Sequence, residues 1–203
     1  MKTINENLIL LLTGILLLAI TAIHPHDYLT WWMETLPIFI AAPILVATYK
    51  NYTLTPLLYR LLLLHALILM VGGHYTYAEV PLGYWMQDWF GFARNNYDKI
   101  GHLAQGFIPA MLFRELLLRS SRLRQGKLLF TLVVASCLAV SASYELIEWA
   151  AAEMMGEGAD AFLGTQGYAW DTQSDMLMAL IGAIVAQVLL GKVQDVQLQG
   201  RVQ

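Results

Sequence analysis

Residues 171–191 read DTQSDMLMALIGAIVAQVLLG. From Met176 the stretch is apolar except for Gln187, and together with its flank it approaches the roughly 20 residues of helix that cross a bilayer core. A chain inside lipid must satisfy its backbone internally, so such a run is read as a spanning helix. Two aspartates, Asp171 and Asp175, stand i and i+4 on one face at its start. An apolar helix with acids gathered at one end sets both questions for this chain: how many such helices there are, and what the acids do.

Six segments qualify as spans: about 7–23, 30–48, 56–77, 98–118, 128–150 and 172–191. The fold class that follows is all-α, a polytopic membrane protein with six transmembrane helices in one bundle, a single integral domain over residues 1–203. Composition agrees, with 58% hydrophobic and 13% charged residues, where soluble domains are about a quarter charged. The second segment is the least clean, since Trp31, Trp32 and Glu34 open it and Pro37 and Pro43 interrupt it. A net charge of −3 leaves no basic stripe for phosphates, which excludes nucleic acid as a partner and leaves membrane lipids. Cys137 is the only cysteine, so no intrachain disulfide forms. The run from Leu8 to Ile23 reads as an uncleaved first span, because His24-Pro25-His26-Asp27 offers no small-residue cleavage site.

Lys2, Lys50, Arg60, Arg114, Arg119, Arg122, Arg124, Lys127, Lys192 and Arg201 fall on one side of a six-span layout, and Arg94 and Lys99 on the other. By the positive-inside rule both termini and the loop around Arg119–Lys127 are cytoplasmic. The segments around 24–29, 78–97 and 151–171 then face outward. Tyr84, Trp85, Trp89 and Phe90 form an interfacial element there. Gly182 with Ala186, and Gly72 with Gly73, let helices pack closely.

Helical rise brings the polar residues to one depth. Asp98, His102 and Gln105 share a face, with His102 about 6 Å and Gln105 about 10 Å below Asp98. Glu145 and Glu148, i and i+3, lie near the outer end of the fifth segment, with Ser141 a turn below. His74 and Tyr77 reach the same level on the third. The inner halves of the spans read as plain, apart from His65 near mid-depth.

Three chemistries and one structural reading fit this set. His74, His102, Glu145, Glu148, Asp171 and Asp175 are candidate ligands for zinc, manganese or iron, since carboxylate and imidazole donors suit those ions. Glu145 and Glu148 are a candidate catalytic pair for general acid–base chemistry on a lipid headgroup. A proton or cation relay is the third. Structurally, Asp98 and Asp171 read as caps of helix N-termini, while Arg94 and Lys99 neutralise Glu145 or Glu148.

The chain resembles the YjdF-type bacterial inner-membrane proteins. The likeness covers most of the chain and rests on Gly73-His74-Tyr75-Thr76-Tyr77, Tyr97-Asp98-Lys99-x-x-His102, Tyr144-Glu145-x-x-Glu148-Trp149 and Gly164-x-Gln166-Gly167-Tyr168-x-Trp170-Asp171-x-x-x-Asp175-Met176. It implies a multi-pass plasma-membrane protein and adds no reaction. A lesser likeness is to VanZ-like membrane proteins, linked to glycopeptide resistance, through Asp98, Lys99 and His102, then Glu145 or Glu148, then Asp175 and Gly182. The chain departs from that pattern at Ala179, where an Asn is usual, and lacks an Arg shortly before Asp175. The combined expectation is a polar site at the periplasmic face, lined by His74, His102, Glu145, Glu148 and Asp175 with Asp98 and Asp171 at its rim, for a cation or a polar headgroup.

Overall fold

The computed structural model describes residues 2–155 and 166–199. Among these residues there is no strand, and the helices are α1 Lys2–Thr21, α2 Tyr28–Thr48, α3 Pro56–Tyr75, α4 Pro81–Phe90, α5 Tyr97–Ser120, α6 Lys127–Met155 and α7 Asp171–Leu198, with a 3₁₀ turn at Tyr77–Glu79. Four of them, α2, α3, α6 and α7, are long and apolar enough to cross a membrane. The apolar part of α1, Glu6–Thr21, is shorter than that measure. α5 is long enough but too polar, because its neighbours shelter it: it packs against α3, α6 and α7 and buries residues along its whole length, from Tyr97 to Leu118. A helix screened from lipid by protein does not have to be apolar, and α5 buries the polar side chains of His102, Gln105, Arg114 and Glu115.

The helices alternate in direction. Arg60 at the start of α3 binds Glu6 of α1 at 2.6 Å. The Leu57 amide donates to Gln197 near the end of α7 at 3.0 Å. The described beginning and end of the chain therefore meet at one end of the bundle. The apolar core lies around α5 at this level, with Leu58, Met111, Val133, Cys137 and Ala183 all fully buried. Outward-facing Leu, Ile and Val side chains on α1, α2, α6 and α7 stay exposed, as a lipid-facing surface requires.

α5 and α7 pack backbone against backbone. A Cβ on Gly106 would lie 1.9 Å from the Ala179 carbonyl oxygen, and one on Gly182 would lie 2.2 Å from that of Leu103. Backbone therefore meets backbone, as the small residues Gly182 and Ala186 led us to expect. α2 continues through Pro37 and Pro43 and is capped by Asp27, whose Oδ1 accepts the Thr30 amide at 2.7 Å. That hydrogen bond from Thr30 holds the Asp27 carboxyl below its ordinary range.

Candidate functional site

Asn95 sets the start of α5. Its buried side-chain amide donates to the Val80 carbonyl at 3.0 Å and accepts the Tyr97 amide at 3.0 Å, while its backbone N–H and C=O bind the side chain of Gln166 at 3.2 and 2.8 Å. With the entry angle fixed, the first turns of α5 face the first turns of α7. The N-cap residues are Asn96 and Trp170, and neither makes a side-chain capping bond. Asp171 and Asp98 thus lie one and two positions past the N-cap of their helices rather than serving as caps. The dipole still favours their charge there; Asp171 turns to Arg94 and Lys99 across from it, and Asp98 to Lys99 and His102 of its own helix.

Lys99 is the hub of these contacts. Its ammonium lies 2.5 Å from Asp175 Oδ1, 2.7 Å from Asp171 Oδ1 and 3.6 Å from Asp98 Oδ2. Arg94 binds the same Asp171 oxygen at 2.5 Å and stacks over Tyr168, 4.6 Å from the ring centroid. The two cations therefore serve the aspartates at the helix starts, rather than Glu145 and Glu148 as the charge pattern suggested. The reason is reach: both precede or open α5, level with the start of α7, whereas the glutamates come from α6.

His102 stands one turn deeper and is 8% exposed. Nε2 is 3.3 Å from Asp98 Oδ1 and 3.9 Å from Asp175 Oδ1. Nδ1 is 3.3 Å from Gln105 Oε1 and 3.8 Å from Glu145 Oε1. Asp98, His102 and Asp175 each offer a ligand atom within 4.8 Å of the others, the spacing of a metal-binding triad. Around them, Asp98 Oδ2, Glu145 Oε1 and Ser141 Oγ are buried without a hydrogen-bond partner. Native interiors rarely leave such atoms unpaired.

Glu148 on α6 and Glu34 on α2 complete the ring, each close enough to feel His102 and Asp98 electrostatically. Glu34 is the site residue that the sequence does not single out. Its one visible signal is an acid within an apolar run. Tyr77 lies beside it electrostatically. The Tyr77 ring fits only because Gly72 and Gly101 flank it, where a Cβ would come within 2.4 and 2.8 Å of the ring carbons. His74 goes elsewhere: Nδ1 meets the Thr21 carbonyl oxygen at 2.9 Å, and the His74 carbonyl accepts the His26 amide at 2.8 Å, tying α3 to the turn between α1 and α2. Glu34, Asp98, Glu145, Glu148, Asp171 and Asp175 together outnumber Lys99, Arg94 and His102. An interior with excess carboxylate must recruit protons or a cation.

Matching against family models pairs residues 6–195 with a family described as predicted membrane protein, DUF2238. The chain belongs to that family. It is also 54% identical over 188 residues to the inner membrane protein YjdF of Escherichia coli (strain K12), an alignment covering 93% of this chain and 90% of that one. No solved structure matches it. In this DUF2238 member, three of the motifs that carry the YjdF-type likeness converge in space: Asp98–His102, Glu145–Glu148 and Asp171–Asp175 come from α5, α6 and α7 to one cluster.

A second polar centre occupies the opposite end of α5, where the spans read as plain. Glu115 is fully buried. Its Oε1 accepts from Arg119 at 2.7 Å and the Thr55 amide at 3.1 Å, and its Oε2 from the Thr55 hydroxyl at 2.7 Å and Gln194 at 3.4 Å. Arg114 donates to Gln194 at 3.0 Å and Asp195 at 2.5 Å. Arg119 also donates to the Thr53 carbonyl at 2.9 Å and lies 3.7 Å over the Tyr52 ring. Both arginines, counted from sequence as topology determinants, are built into the core of the bundle.

Proposed function

We propose that this protein is a multi-pass protein of the bacterial inner membrane that binds a cation at its periplasmic face, in the cluster around His102. α1, α2, α3, α5, α6 and α7 are the six spans, and both termini are cytoplasmic. Orientation is supported by the Lys and Arg distribution, and the compartment by the named inner-membrane relative. The observation that carries the binding reading is the surplus of carboxylate around His102, including buried oxygens of Asp98 and Glu145 that accept no hydrogen bond among the described residues. The ligand is a positive charge presented at the outer leaflet, either a metal ion or the amine of a polar headgroup.

Binding fits better than conduction, because the backbone contact of Gly106 with Ala179 closes the α5–α7 interface just below the cluster. Glu145 supports a second reading, acid–base chemistry on a bound headgroup, since its free Oε1 lies beside an imidazole nitrogen. The test is thermal unfolding in mild detergent, with divalent metal or ethanolamine headgroup lipid added. A ligand that binds the folded state raises the midpoint with concentration. The wild type responds to one of these additions and an Asp98→Asn, Asp175→Asn variant does not. If neither addition shifts the wild type, the acids are a charge-paired structural network.

A further inference from the structure

We infer that the cation is a first-row divalent metal ion held by Asp98, His102 and Asp175, and that Lys99 is a tethered competitor which must leave Asp175 for the ion to enter. This rests on the cation-binding reading above and names its ligand.

The donor set is the first argument. His102 Nε2 faces Asp98 Oδ1 at 3.3 Å and Asp175 Oδ1 at 3.9 Å, so one nitrogen and two carboxylates from α5 and α7 converge on one point. An imidazole with carboxylates selects zinc, manganese or iron over magnesium or calcium, which prefer oxygen alone. The support around the ring is the second argument. Metal-binding histidines donate their other N–H to an acceptor that fixes the tautomer. Here Nδ1 faces the oxygen of Gln105 at 3.3 Å, and Glu145, with a side chain 7% exposed, turns its unpartnered Oε1 toward the same nitrogen at 3.8 Å. A metal on Nε2 would keep the proton on Nδ1, whose N–H would donate to Gln105 with the Glu145 carboxylate beside it.

Lys99 is the third argument. Its ammonium sits 2.5 Å from the Asp175 oxygen that also faces His102. An ion on that oxygen and the ammonium would be like charges at contact distance. Asp171, 2.7 Å from the same ammonium and not needed for the ion, is the place to which Lys99 withdraws. The ammonium thus balances the site without metal and sets the threshold for its entry.

The experiment titrates the full-length protein in mild detergent with Mn²⁺, followed by paramagnetic resonance of the free ion, and with Zn²⁺ by calorimetry. Thermal unfolding without metal checks each variant's fold. Wild type binds one ion, Asp175→Asn loses binding, and Lys99→Met binds about tenfold tighter or more. Equal affinity in wild type and Lys99→Met overturns the competition. Where Lys99→Met does not fold, Asp171→Asn decides: it pins the ammonium on Asp175 and weakens metal by about tenfold, and an unchanged affinity overturns the competition. If headgroup amine stabilises the wild type and neither metal binds, the metal assignment falls while the cation reading stands. If nothing binds, both fall.

Discussion

The two ends of α5 carry similar residues in different states. At the Glu115 end a buried carboxylate has an arginine, a hydroxyl, a backbone amide and a glutamine around it. At the His102 end, buried carboxylates outnumber the bases and keep oxygens without partners. Both ends desolvate charge, which is costly unless it is paired and hydrogen-bonded. The closed network explains itself as structure: it joins α3, α5 and α7 at the level of the apolar core. The open one has ion pairs to Lys99, Arg94 and His102 yet leaves carboxylate oxygens outside any hydrogen bond among the described residues. Satisfaction of hydrogen bonds, rather than burial or charge, is what distinguishes the two ends, and it is why the binding proposal falls on the His102 end.

The comparison breaks most visibly at Glu115. Glu115→Ala leaves Arg119, Thr55 and Gln194 without their shared acceptor and destabilises by about 3–5 kcal/mol. Denaturant unfolding in detergent and protein abundance both report it. If that variant unfolds like wild type, the Glu115 end is no brace. Gly182→Val is next, since its Cβ meets the Leu103 carbonyl at 2.2 Å. Overpacking of this kind costs about 1–3 kcal/mol. It also separates Asp175 from His102, so metal affinity and stability fall together. Glu145→Gln sharpens the contrast: it keeps the shape of a side chain with one oxygen outside any hydrogen bond, and changes stability by about 1 kcal/mol or less. A loss as large as that of Glu115→Ala would show the two ends to be alike.

The smallest expected effect lies outside both ends. Asp27→Ala removes the cap of α2 at a cost of about 1 kcal/mol near neutral pH. Because the folded Asp27 carboxyl is held below its unfolded value, its stabilisation is present above the unfolded pKa of about 3.9 and is lost as pH falls through the lower folded value. The gap between wild type and variant therefore closes only under acid, which unfolding midpoints measured across that range will show.

Much of the architecture is legible in the sequence because lipid imposes a length and a polarity on each span. That rule identifies α2, α3, α6 and α7 directly. α5 is found by it only approximately, since a helix enclosed by others escapes the polarity constraint. The cluster around His102 is half legible. Asp98, His102 and Gln105, Glu145 and Glu148, and Asp171 and Asp175 are neighbours along their own helices, so helical spacing groups them. Glu34 and the Glu115 network are different in kind. Thr55 precedes α3 as its N-cap, Glu115 lies on α5 and Gln194 on α7, with sequence separations of 60 and 79 residues between hydrogen-bonded partners. Nothing local announces such pairings, and Arg114 and Arg119 look like surface charges until their partners are placed. The division of Arg94 and Lys99 among the acids was likewise hidden, because it depends on how α5 and α7 align.

The most direct test of the central claim is metal content, measured by elemental mass spectrometry on protein purified in mild detergent without chelator and then offered Zn²⁺ or Mn²⁺, beside an Asp98→Asn, Asp175→Asn variant. The account predicts near-stoichiometric metal in wild type and none in a variant that still folds. Wild type that neither retains nor acquires metal, or a variant that binds it equally, would contradict the assignment of the His102 end as a metal site.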